Sequence, residues 1–184
     1  MQLMSLRRSE SERGQALTEF ALVAPLLFLI LFGIIQLGFL FGGQNGLTNA
    51  AREAARYAST LPTPDTVVAC TGSGNNASVV QARLTSVNLP QYIPGVVPGN
   101  VVAAAPCSGA ALAGTGTGVA YCARPNGDGT FSVRVRVSVV YRHPLFIPLV
   151  GRLFSSTDTW QLGALEEMRV EGPNRSSIGS FTPC

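Results

Sequence analysis

One uncharged stretch limits what this chain can fold into. From Phe20 to Ala51 no residue carries a formal charge, and the first part, Phe20 to Phe41, is almost wholly apolar. As a helix those residues, about 22 of them, would extend roughly 33 Å at ~1.5 Å per residue. A bilayer's hydrocarbon core is roughly 30 Å thick. A chain of 184 residues has little use for a soluble helix that is apolar on every side, so the stretch predicts a membrane span. The length leaves room for one modest further domain.

Residues 1–14 read as a short polar leader with Arg7, Arg8 and Arg13. Arg52 and Arg56 lie well past the apolar run, so the charge distribution leans towards a cytoplasmic N-terminus. Cleavage as a secretory signal is the rival, with only a weak site at Thr48-Asn49-Ala50. Pro25 removes one backbone hydrogen bond and predicts a bend, which membrane helices tolerate. Gly38, Gly42 and Gly46 recur every four residues and would line one face, either admitting a second helix or weakening this one. Ala50, Ala51, Ala54, Ala55 and Ala58, with Arg52, Glu53 and Arg56, are good helix formers. The helix should therefore continue to about Ser59, where Leu61-Pro62-Thr63-Pro64 stops it.

Glu19 wants an explanation, because a carboxylate at the lip of a membrane helix is costly without a partner. Gly14, followed five residues later by Glu19-Phe20 at the head of a long apolar helix, resembles the prepilin-peptidase site of type IV pilin-like proteins. The resemblance implies a cut between Gly14 and Gln15 on the cytoplasmic side, with the helix left attached. Glu19 would then be the fifth residue of the mature chain, one turn from a new ammonium at Gln15. A simple signal anchor with an incidental Glu is the bland reading.

Composition narrows the remaining domain. There is no lysine, which excludes Lys-dependent phosphate loops and Schiff-base catalysis. The net charge of +3 is too small and dispersed to suggest nucleic-acid binding. Gly and Pro are plentiful, so the domain should be loop-rich. Cys70, Cys107, Cys122 and Cys184 all lie beyond the apolar helix, without a CxxC pair or a His cluster, which argues against zinc. Their even count predicts disulfides in an oxidising compartment rather than buried thiols. Three pairings are open; the Gly-rich connector favours Cys107 with Cys122.

Asn75-Asn76 can cap a short helix to about Val87, with Val80, Leu84 and Val87 on one face. Leu89 to Pro98 reads as a loop, Val101 to Ala105 as a short strand, and Ser108 to Gly118 as a flexible loop. Gly114, Gly116 and Gly118 have the wrong spacing and context for a dinucleotide fingerprint. Phe131 to Tyr141 alternates as a strand, with the odd-numbered positions apolar and Ser132, Arg134, Arg136 and Ser138 opposite. Asn126-Gly127-Asp128-Gly129 predicts a turn pairing it with a strand near Val119 to Ala123; a calcium loop would need more carboxylates. A last strand runs from Asp158 to about Glu171, and the tail from Gly172 to Cys184 is expected to be mobile.

The alternating valines, then Tyr141-Arg142-His143-Pro144-Leu145-Phe146, and the closing Met168-Arg169-Val170-Glu171 extend the resemblance. With the segment from Gly14 to about Ala58, they are similar to TadE-like proteins, pseudopilins of the tight-adherence (Flp) pilus apparatus. That resemblance implies a minor pilin, since a major pilin would be much shorter. Leu61 to Pro125 carries no such likeness.

No catalytic constellation is legible. His143, the only histidine, precedes Pro144 at a strand end and reads as structural or exposed. Glu166 and Glu167 are adjacent and point to opposite faces of a strand, so they cannot form an acid/base dyad. Ser73 lacks the wider nucleophile-elbow pattern. The expected fold is α+β: a leader over 1–14, a helix over 15–60 spanning the membrane at about 20–41, an extracytoplasmic domain over 61–171 with a short helix and an antiparallel sheet, and a tail over 172–184. The expected protein is a single-pass inner-membrane component of pilus assembly, without enzymatic activity, cofactor or metal. Its implied partners are the prepilin peptidase, other pilin-like subunits, inner-membrane assembly proteins and the lipid bilayer. Gly14, Gln15, Glu19 and Phe20 would carry processing and assembly. A membrane-tethered binding or sensor module is the alternative.

Overall fold

The alanine-rich end of the long helix and the valines of the central strand meet face to face, and the rest of the fold is arranged around that contact. The computed structural model describes residues 8–61, 76–93, 96–102, 113–146, 158–172, 175–177, 179 and 181–184. Helix α1 is a single helix over Arg8–Thr60, with Pro25 inside it. Its upper part is bare: Leu17, Phe20, Leu22, Leu26 and Ile30 all point outward without a partner layer. Its lower part is a core element. Leu47, Ala50, Ala51, Ala54, Ala55 and Ala58 are buried, and their spacing of three and four residues places them on one face. Alanine suits that face, because it forms helix well and lets the backbone approach a sheet closely.

The sheet has the order β3-β2-β1-β4, with β1 at Gly118–Pro125, β2 at Phe131–Pro144, β3 at Thr159–Arg169 and β4 at Thr182–Pro183. The β1–β2 hairpin closes as the turn chemistry predicts: Asn126 N–H donates to the Thr130 carbonyl at 2.9 Å, and Thr130 N–H donates to Asp128 Oδ1 at 2.8 Å. Gly127 and Gly129 take φ of 83° and 82°, a region that favours glycine. Thr130 also donates its hydroxyl to Asp128, and these bonds, the hydroxyl's first, hold the carboxyl below its usual pKa. In β2, Val133, Val135, Val137, Val139 and Tyr141 face the helices, joined by Val119, Tyr121 and Ala123 of β1 and by Leu162 of β3. α1 packs on β2 and β3, while α2, Asn76–Arg83, packs on β1. The fold is therefore α+β with helices on one face of the sheet.

Several expectations are corrected. Leu89 to Tyr92 is not loop but helix α3, Leu89–Tyr92, reached from α2 through a π-helical turn at Leu84–Asn88. In that wide turn Leu89 N–H donates to the Leu84 carbonyl. Pro90, which has no N–H to offer, stands at the start of the next turn, where no donor is needed. Val101 makes only an isolated bridge to Tyr141; Ala103 to Ala105 lie outside the described residues. The sheet is mixed, since β4 runs parallel to β1 in the register Cys122↔Thr182.

The tail is also tied down rather than free. Arg175 exchanges both backbone hydrogen bonds with Phe131 at 2.8 Å, Phe181 is buried, and Cys184 N–H donates to the Ala123 carbonyl at 3.0 Å. By pairing there, β4 covers the otherwise open edge of β1.

Candidate functional site

The head of α1 shows what the Gly14 to Phe20 spacing does locally. Residues four apart share a helix face, and Gln15 Nε2 donates to Glu19 Oε1 at 3.1 Å. Thr18 donates its hydroxyl to the Gln15 carbonyl at 2.7 Å. The Gln15 side chain thus reaches the Glu19 carboxylate along the same helix face. A Cβ at Gly14 would meet nothing, so no packing demands glycine there.

The glycine stripe does not act as one surface. Gly38 and Gly42 face open space, whereas a Cβ on Gly46 would collide with the Tyr92 carbonyl. Gly46 belongs to the chain's own core, and only the other two remain open to a second helix.

Between these regions the domain grips the helix at a residue that the sequence motifs do not single out. Gln36 is buried, and its Oε1 accepts from Phe146 N–H at 3.0 Å. A signal is present: Gln36 is the lone polar side chain between Glu19 and Gln44. Its partner lies 110 residues away, beyond the reach of any local pattern. Nearby, Phe39 and Phe146 bring their rings to 5.6 Å. A Cβ on Gly43 would sit 3.1 Å from Leu162 Cδ1 and 3.5 Å from His143 Nδ1. His143 is buried edge-on between Tyr141 and Phe146. Neither of its ring nitrogens finds a protein partner among the described residues, and burial pushes its pKa below the ordinary histidine value. It is a structural histidine, as expected of a residue at this strand end.

Glu166 and Glu167 do face opposite ways. Glu166 pairs with Arg52 of α1 at 3.0 Å. On the outer face Glu167 receives Arg134 at 3.1 Å and Arg136 at 3.0 Å, with Arg124 at 3.7 Å. Three cations around one carboxylate hold strands β1, β2 and β3 together across the sheet.

Among the described residues no group of three or more His, Cys, Asp and Glu side chains could hold a metal. Cys122 is bonded to Cys184, with Cα atoms 5.0 Å apart. The favoured pairing of Cys107 with Cys122 is therefore wrong. That expectation rests on short loop length, but the parallel pairing of β4 brings Cys184 to Cys122 instead. Cys70, Cys107 and Ser73 lie outside the described residues.

α1 is long and apolar enough to cross a membrane, and its far end is the core of the domain. No curated protein and no solved structure matches the chain. A family model described as TadE-like protein matches residues 14–56, from Gly14 through the bare part of α1 into its buried face. Over that segment, and there alone, the chain is similar to TadE-like proteins.

Proposed function

We propose that the protein is a minor pilin or pseudopilin, a membrane-anchored structural component of tight-adherence (Flp) pilus assembly. The observation that carries this reading is the division of α1. Its first part offers a bare apolar surface to lipid or to neighbouring helices, and its last turns are the spine of a small domain. A subunit built this way can leave a bilayer for a helical bundle without unfolding its domain. A cleaved secretory signal fits poorly, because a cut near Thr48-Ala50 would strip Leu47 from the core.

In this reading residues 1–14 are a cytoplasmic leader, a prepilin peptidase cuts between Gly14 and Gln15, and the domain stands outside the cytoplasm. The new ammonium at Gln15 then pairs with Glu19 of its own or a neighbouring subunit. The contact of side chain 15 with Glu19 and a family match that opens at Gly14 both support it. The partners are the peptidase, other pilin-like subunits and the inner-membrane assembly proteins.

The test is intact-mass measurement after co-expression with a prepilin peptidase. The expected product begins at Gln15, and Gly14→Leu abolishes it without disturbing the fold, since nothing packs on Gly14. The same N-terminus without the peptidase would defeat the reading. Glu19→Gln should keep insertion and some cleavage but weaken co-purification with a partner pilin. Equal recovery of that partner would confine Glu19 to the peptidase.

A further inference from the structure

We infer that the end of the sheet bearing Phe146 and Trp160 docks into the bilayer interface beside α1, giving the domain a second contact with the membrane. The inference rests on the membrane-anchored reading above.

The level of that sheet end can be read from the contacts along α1. Gln44 Nε2 donates to the Gly163 carbonyl at 2.8 Å, Arg52 meets Glu166 at 3.0 Å, and Glu171 N–H donates to the Ser59 carbonyl at 3.3 Å. Helix and β3 therefore run side by side in the same direction. From Gly163 back to Trp160 is about 10 Å at ~3.3 Å per strand residue. That distance equals about seven helical residues, which puts Trp160 level with the neighbourhood of Leu37. The Phe146 contacts with Gln36 and Phe39 give the same level independently.

A bilayer boundary must cross that level. From Phe20 to Ile35 the helix offers only about 24 Å before Gln36, against a hydrocarbon core of roughly 30 Å. The missing length is about four residues, Gln36 to Phe39, where the sheet ends. Counting the span from Gln15 instead also sets the far boundary near Gln36. In either placement Gln36 would be a polar group at the edge of hydrocarbon, and Phe146 N–H satisfies its oxygen.

The chemistry of this end matches its depth. Phe146 is 65% exposed and Trp160 44%, and they are the only exposed aromatic side chains outside α1 among the described residues. Trp160 stands opposite His143 in the register, at the terminal rungs of the β2–β3 pair. Arg142, one position before His143, is exposed on the outer face. Aromatic rings gather at membrane interfaces, and arginine there can lie along the apolar surface with its charge at the phosphates. An exposed aromatic pair confined to the end that faces the bilayer needs a lipid partner more than a protein one.

Trp160 is the only tryptophan and so reports on itself. The full chain would be reconstituted in phosphatidylcholine vesicles carrying bromines near the carbonyls or near the chain ends. Quenching of Trp160 should be about twofold stronger for the shallow bromines, as for an interfacial aromatic. Phe146→Asp should reduce that quenching and leave the protein in the vesicles. Retention after an alkaline wash is measured in parallel. A retained protein whose Trp160 is unquenched by any brominated lipid, and open to aqueous iodide, would overturn the docking while leaving the anchor intact. Protein washed off the vesicles would overturn both. Trp160 shielded from both quenchers until the protein is diluted in the bilayer would mean that a second copy covers this end, and would also overturn the inference.

Discussion

Gly46 of the long helix lies against the carbonyl oxygen of Tyr92 with no room for a methyl group. A Cβ there would stand 2.5 Å from that oxygen and 2.8 Å from Ile93 Cγ1. Backbone cannot retreat as a flexible side chain could, so Gly46→Ala should destabilise the domain by about 1–3 kcal/mol. Gly42→Ala should cost nothing or gain up to about 1 kcal/mol from helix propensity. Guanidinium unfolding of the two variants in detergent checks this; equal midpoints would refute it.

The Cys122–Cys184 bridge closes a separation of 62 residues. On the loop-entropy account its loss should cost about 4 kcal/mol. Cys184→Ser should also free β4, whose two residues make the only ladder at that edge of β1 among the described residues. The expected result is a lower thermal midpoint together with faster proteolysis near Phe181. A variant as protease-resistant as the parent would show that the backbone pairing suffices.

The two adjacent glutamates should differ in weight. Glu167 is 17% exposed among three arginines, whereas Arg52, the partner of Glu166, is 61% exposed. Glu167→Gln removes the charge that Arg124, Arg134 and Arg136 share, and should cost about 1–3 kcal/mol. Glu166→Gln should stay within about 1 kcal/mol, because an exposed pair is screened by water and salt. Paired denaturation curves at low and high salt measure both, and the Glu166→Gln effect should lose the larger share of its size as salt rises.

His143 should make the domain acid-sensitive. Burial lowers its pKa in the folded state, whereas the unfolded chain titrates near 6.5. Below that value the unfolded state takes up a proton that the folded state refuses, so stability is full above about pH 6.5 and falls as the pH drops towards the folded pKa. His143→Leu should flatten this step by up to about one proton. Unfolding free energies measured across that interval give the slope; an unchanged slope would assign it elsewhere.

The elements that depend on neighbours along the chain are legible in the residues alone. An apolar run gives a bare helix, because each residue from Phe20 to Ile35 is judged by its own contact with solvent. Alternation from Phe131 to Tyr141 gives a strand, and Asn126-Gly127-Asp128-Gly129 gives its turn, because both are settled within a few bonds. The same local reasoning predicts a mobile tail after Gly172 and a loop after Leu89. It cannot see that the edge of β1 is free to pair with Thr182 and Pro183, or that a π-helical turn carries the helix past Pro90.

Only the tertiary structure decides which residues meet across long separations. It divides one glycine stripe into two open positions and one core position, because Tyr92 folds back onto Gly46 alone. It gives Cys122 the partner that strand pairing delivers rather than the one that a short loop favours. It also finds the Gln36 side-chain oxygen a backbone donor 110 residues away, at Phe146. Periodicity records which side of an element is apolar; what covers that side depends on the path of the whole chain.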